Sequence, residues 1–135
     1  MSELNQTQDL AFLYITHDLA TAGYFARQGR MMVMYLGDVM ELGLLDDAID
    51  HPRHPYMLAL LSAVLVPGPE VTRQKRQFPL TSLEIPDPAR APSGCRFHTR
   101  CPYMQPICVE EHPPLEPTDR PDHLVLCHVW KEIAE

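Results

Sequence analysis

Hydrophobic and polar positions change rhythm along this chain, and the change divides it. Leu10 to Ile15 is an unbroken apolar run, LAFLYI. A run this short predicts a strand buried on both faces, as in a parallel sheet. Thr16-His17-Asp18 follows. Thr16 and Asp18 both suit the N-cap of a helix that reaches about Gln28, with Leu19, Ala22, Phe25 and Ala26 as its apolar stripe. Arg30 to Tyr35 predicts a second strand, Leu36-Gly37-Asp38 a turn, and Val39 to Leu42 a third strand ending at Gly43, together a hairpin. Leu44, Leu45, Ala48 and Ile49 fit a short helix stopped by His51-Pro52. Pro55 suits the first turn of a further helix, whose apolar face is Tyr56, Ala59, Leu60, Ala63 and Val64. Beyond Pro67-Gly68-Pro69 the periodicity fades. Phe78 to Ile85 has room for one short strand, and the stretch after Ser93 is organised by cysteines and prolines.

Composition sharpens this division. The chain has 135 residues, 45% hydrophobic and 21% charged, which suits one ordinary domain or two small ones. It carries 14 prolines, most of them after Val66. Residues 1–66 therefore read as packed secondary structure and residues 67–135 as a loop-rich tail. The net charge of −7 argues against a general nucleic-acid role, because phosphate binding needs a basic surface. The run Arg73, Lys75 and Arg76 reads as a solvated loop. No segment approaches the roughly 18 consecutive apolar residues of a membrane span, and the polar N-terminus lacks a signal-peptide pattern. A soluble, cytosolic chain is expected. In that compartment four cysteines point to a metal before disulfides.

Those cysteines are Cys95, Cys101, Cys108 and Cys127, spaced C-x5-C-x6-C-x18-C. Three close ligands and one distant one suit a cuboidal iron–sulfur cluster, and the spacing is looser than the paired C-x2-C of most structural zinc sites. Gly94 before Cys95 and Pro102 after Cys101 restrict the backbone and help turn thiolates inward. The alternatives are a zinc site, with His98 or His128 standing in for one thiolate, two disulfides, or four free thiols. His98, His112, His123 and His128 otherwise read as surface residues or partners behind the ligands, and His51 and His54 as turn residues. Nothing has the arrangement of a Ser/His/Asp or Cys/His catalytic centre.

Four segments, YITHDLATAGYFA, VMYLGDVMELG, HPRHPYMLALLSAV and SGCRFHTRCPY, together resemble the ATP-binding subunits of oligopeptide and dipeptide ABC importers. The resemblance runs from about Leu10 to Cys127, and GCRFHxRCP is its most specific part. It implies that His17 is the switch histidine, which contacts the γ-phosphate of ATP and helps organise the attacking water across a dimer interface. Imidazole chemistry suits such a role. Read from the residues alone, His17 is a polar residue in a strand-to-helix turn, and Asp18 is a helix cap before it is a base. The resemblance also implies that the four cysteines hold a [4Fe-4S] cluster. Its expected role is structural, as a staple for a proline-rich segment poor in apolar residues; redox sensing is the sharper alternative.

The 135 residues contain no G-x-x-x-x-G-K-[ST] phosphate loop, no LSGGQ-like signature, and no apolar strand ending in Asp-Glu. The fold class expected is therefore an α+β fragment of an α/β P-loop ABC ATPase. Residues 1–66 would close the nucleotide-binding core, and residues 67–135 would form the family's C-terminal domain with its four-cysteine site. ATP and magnesium would bind only in the complete subunit, and the chain alone is not expected to hydrolyse ATP. The resemblance further implies a second ATP-binding subunit and transmembrane permease subunits as partners, at the cytoplasmic face of the plasma membrane. The solute would be peptides, or nickel or another small solute. An unpaired strand at 10–15 predicts self-association of the isolated chain. Two readings from other classes stand beside this one: a stand-alone iron–sulfur or zinc protein, and a regulatory module that docks to a transporter.

Overall fold

The computed structural model describes residues 11–25, 29–63 and 78–133. Its first helix, α1, is Leu19–Phe25. Both expected capping residues take part in its start. The Asp18 amide donates to Thr16 Oγ1 at 3.0 Å, the Asp18 carbonyl accepts from the Ala22 amide at 3.1 Å, and the Thr21 hydroxyl donates to the Asp18 carboxylate. The strand expected at Leu10 to Ile15 is not formed. Leu10 lies outside the described residues, and residues 11–15 are irregular, with Leu13 90% and Ile15 86% exposed. A strand needs a hydrogen-bonded neighbour, and among the described residues no strand lies beside this run.

The hairpin is β1, Arg30–Tyr35, and β2, Asp38–Leu44. Leu36 and Gly37 join them with φ of 48° and 89°. Two positive φ values mark the turn whose twist matches that of the flanking strands. The register shifts between Val33 and Met34: Val33 pairs with Glu41 but Met34 with Val39. Met40 is thus the extra residue of a bulge, and it is fully buried. Two helices follow, α2 at Leu45–Asp50 and α3 at Pro55–Ala63, with Pro55 at the first helical position as expected. Met31, Val33, Leu45, Ala48 and Met57 form one core cluster, flanked by Leu19, Ala22 and Leu60.

Past residue 78 the expected strand at Phe78 to Ile85 is absent, and this segment is irregular. A short helix, α4 (Pro106–Glu110), two three-residue strands, β3 (Leu115–Pro117) and β4 (Leu124–Leu126), and α5 (Trp130–Ile133) complete the chain. The strands form one antiparallel sheet in the order β1-β2-β4-β3. The molecule is α+β, and its sheet takes two strands from each side of the expected boundary at 66/67, which itself falls outside the described residues. No helix among the described residues is long and apolar enough to cross a membrane.

A buried carboxylate joins the two halves. Glu41 on β2 is fully buried, and so is His123, which leads into β4. His123 was expected at the surface or behind a ligand; instead its Nε2 lies 2.7 Å from Glu41 Oε1, and its Nδ1 lies 3.6 Å from Asp47 on α2. The same Glu41 carboxylate accepts from the amides of Arg53 (3.1 and 3.2 Å) and His54 (2.7 Å). Around it, Arg53 pairs with Asp119 at 2.8 Å and Arg120 with Asp47 at 2.9 Å. Removing one member of a buried, hydrogen-bonded pair leaves the other donors without their acceptor. Glu41→Ala is therefore expected to cost about 3–5 kcal/mol. In a double-mutant cycle by urea denaturation, Glu41→Ala and His123→Ala should show a coupling above about 1 kcal/mol. Additive losses would mean that the pair does not act as a unit.

Candidate metal centre

The cysteine-bearing segment begins at a backbone position that only glycine fits. Gly94 has φ of 61°, and a Cβ there would sit 2.4 Å from the Cys108 carbonyl oxygen and 2.8 Å from that of Val109. This close approach lets the Cys95 amide donate to the Cys108 carbonyl at 2.8 Å, tying the first cysteine to the third. A 3-10 turn at His98–Arg100 then brings the chain round to Cys101. Pro106 starts α4, which carries Cys108, and Cys127 follows β4. The four cysteines are 5–7% exposed, and all are free thiols.

Their electrostatics link them to one another. Burial pushes the Cys101 thiol up to about 12, and the neighbouring charges of Cys95 and Cys108 push in the same direction. Burial likewise takes Cys127 to about 12, and Cys95, Cys101 and Cys108 all add to the rise. Cys95 is raised by burial and by Cys108. Opposing these effects, backbone amides face the sulfurs: Phe97 and His98 toward Cys95, Tyr103 toward Cys101, and Val129 toward Cys127. Amides two or three residues past a cysteine, directed at its sulfur, stabilise thiolate. Four buried thiols so arranged are strained as anions unless a cation joins them, and soft sulfur donors suit zinc or an iron–sulfur centre. By donor type alone, thiols suit a sulfur-held metal. Among the described residues, no group of three or more His, Cys, Asp or Glu side chains is drawn together as a ready metal site.

The two histidines considered as substitute ligands each have a ring nitrogen on a backbone carbonyl. His98 Nδ1 lies 2.9 Å from Cys95 O, and His128 Nε2 lies 3.1 Å from Glu111 O. His112 is at the surface, 2.9 Å from Asp38. His17 is exposed at the bend before α1, and His51 is exposed beyond α2. His54, expected in a turn, does occupy one but is 1% exposed. Its Nδ1 accepts from the Tyr56 amide at 2.9 Å, which caps α3. Burial depresses its pKa to about 3, partly offset by the Leu126 carbonyl.

Sequence reasoning passed over the residue that attaches this segment to the core. Phe97, between Cys95 and Cys101, is fully buried. Its ring packs on Tyr35 (5.4 Å between centroids), Tyr56 (5.3 Å) and His54 (5.8 Å). Tyr35, Met40, Cys95, Phe97, Cys101, Cys108 and Leu126 form one buried cluster. An aromatic residue inside a cysteine loop of otherwise polar residues was the available signal.

Residues 40–108 match the family described as the oligopeptide/dipeptide transporter, C-terminal region, and the chain belongs to that family. It is 41% identical over 127 residues to the oligopeptide transport ATP-binding protein OppF of Salmonella typhimurium, a match covering 94% of this chain and 36% of that protein. It is 42% identical over 134 residues to the oligopeptide transport ATP-binding protein AppF of Bacillus subtilis, covering 96% and 38% respectively. OppF of Escherichia coli is 40% identical over 127 residues, covering 94% and 36%. The chain spans a little over a third of the length of these curated relatives.

Two outcomes test this geometry. Gly94→Ala adds a Cβ against two carbonyls at a positive φ, and should cost about 3 kcal/mol or more, read by thermal or urea unfolding. Neutral behaviour would mean that the Cys95–Cys108 contact is absent. The second concerns His54, whose folded pKa of about 3 lies below the unfolded value of 6.5. The unfolded chain then binds more protons between these values, so stability is full above about 6.5 and falls as pH drops toward 3. From pH 7 to 5 the loss from this one group is about 2 kcal/mol. Burial raises the pKa of Glu41, and its contribution has the opposite sign, lost as pH rises through the folded value. The His54 effect is therefore isolated as the difference between wild type and His54→Asn, whose stability should fall less over the same interval.

Proposed function

We propose that this chain is the C-terminal part of the ATP-binding subunit of an ABC importer for peptides, bearing a [4Fe-4S] cluster on Cys95, Cys101, Cys108 and Cys127. The match to the transporter C-terminal region across residues 40–108 carries the first statement. The four buried cysteines, with amides directed at the sulfurs of Cys95, Cys101 and Cys127, support the second. A bound cluster would supply a cross-link among segments that have few apolar contacts of their own. Zinc on the same thiolates is the alternative occupant. In the assembled transporter the subunit works at the cytoplasmic face of the membrane with a second ATP-binding subunit and the permease subunits. His17 contacts the γ-phosphate there, as an imidazole that responds to its loss.

The phosphate loop and the magnesium-holding strand are not among the 135 residues. Positioning and charge neutralisation of the phosphates account for most of phosphoryl-transfer catalysis. The chain alone should therefore show no low-micromolar ATP affinity by calorimetry and no hydrolysis. In a longer protein that carries this chain after a phosphate loop, His17→Ala should lower hydrolysis at least about ten-fold while nucleotide affinity stays within about two-fold. Wild-type hydrolysis by His17→Ala would remove the switch assignment, and tight ATP binding by the chain alone would remove the division of labour.

A further inference from the structure

The polar network around Glu41 is closed on one side of the His123 ring and open on the other. Glu41 Oε1 accepts from the Arg53 amide at 3.1 Å and meets His123 Nε2 at 2.7 Å. Oε2 accepts from the amides of Arg53 and His54 at 3.2 and 2.7 Å. A carboxylate has about four acceptor sites, and these contacts use them. Glu41 is therefore the acceptor throughout, and the proton in its contact with His123 sits on Nε2. In a neutral imidazole the other nitrogen is then a bare acceptor. That nitrogen, Nδ1, is buried without a hydrogen-bond partner, and it faces a second acceptor, Asp47 Oδ2, at 3.6 Å. Asp47 is held there, because its Oδ1 takes the Arg120 guanidinium at 2.9 Å. The ring is held as well: it sits against Gly43, where a Cβ would lie 3.1 Å from His123 Cδ2.

We propose that His123 Nδ1 is a proton-binding position, and that a proton there latches the segment carrying β3 and β4 onto β2 and α2. The proton turns two facing acceptors into a charge-assisted N–H···O bond from imidazolium to Asp47. It has a route from water, since the Asp47 side chain is 21% exposed and lines an open hollow with Asp46, Asp50, His51 and Pro121. The other charges about the ring are Glu41 on β2, Arg53 with its partner Asp119, and Arg120. The arginines keep their charge at every pH of interest. An imidazolium that gains a carboxylate on folding contributes stability at low pH, and that contribution is lost as pH rises. Buried His54 has the opposite sign. Acidification thus tightens the docking of the tail while it weakens the core beside it.

The test uses the full chain, labelled with nitrogen-15, as wild type and Asp47→Asn, at about pH 8 and about pH 5.5, where histidine changes charge. Ring-nitrogen NMR spectra follow His123 Nδ1, and amide hydrogen exchange at Leu124, Val125 and Leu126 follows the opening of β4. Exchange in Asp47→Asn is expressed as a ratio to wild type at the same pH, which cancels the intrinsic pH dependence of exchange. The lost Arg120 contact and the His54 effect enter numerator and denominator alike at both values. Nδ1 of wild type should gain a proton across the interval. The exchange ratio should be about three-fold or more higher at the lower pH. Adding His51→Asn to both proteins removes the other histidine on the hollow and should leave that increase in place. Equal ratios at the two pH values overturn the latch. An increase that disappears with His51→Asn also overturns it, assigning the effect to the hollow. If Asp47→Asn does not fold, the wild-type ring spectrum decides: Nδ1 that stays bare, or stays protonated, over the whole interval overturns the proposal.

Discussion

A carboxylate with no exposure to water holds this structure together. Glu41 sits mid-strand on β2, where burial disfavours its charge, and two separate parts of the chain supply compensating donors. The amides of Arg53 and His54 bring the loop between α2 and α3 onto the sheet, and His123 brings in the tail. Each donor alone would leave the group undersatisfied in a medium of low dielectric. The requirement that they assemble together makes the docking of the tail cooperative with the folding of the hairpin. The salt bridges Arg53–Asp119 and Arg120–Asp47 surround the pair but lie nearer water, where such contacts contribute little.

Cys127 comes four residues after His123, so the bond that seats His123 also sets where the last cysteine enters. Phe97 does the same for the first two cysteines, by packing on Tyr35, Tyr56 and His54. The cysteine segment is thus attached to the core at two points, one polar and one aromatic. The arrangement explains how a region poor in apolar periodicity presents four buried thiols. Their burial is inherited from the hairpin and α3, and the thiols contribute few apolar contacts of their own.

The HPRHPY segment shows how differently one stretch reads in one dimension and in three. Along the chain it is a proline-bracketed loop with two histidines. In the fold, the two amides after Pro52 serve Glu41, His54 Nδ1 caps α3, and Tyr56 lies between two core clusters. Its residue types suit a turn, and a turn is formed, but the acceptor that accounts for them lies twelve or thirteen positions earlier in the chain.

Local chemistry was therefore legible where partners are near in sequence. The alternation in MMVMY and the Leu36-Gly37 turn define the hairpin, Pro55 starts α3, and Asp18 caps α1, because each depends on bonds spanning a few residues. The cysteine spacing and its motif likewise identified the family to which the chain belongs. What the sequence did not determine depends on distant partners. The run at 11–15 has strand composition but lies beside no described strand, so periodicity alone misplaced it. The three-residue strands β3 and β4 are too short to carry an alternation signal, and β4 exists because β2 offers it an edge. Glu41, His123 and Tyr35 look ordinary in one dimension, and only the tertiary structure buries them, since burial is a property of the neighbours that long-range packing supplies.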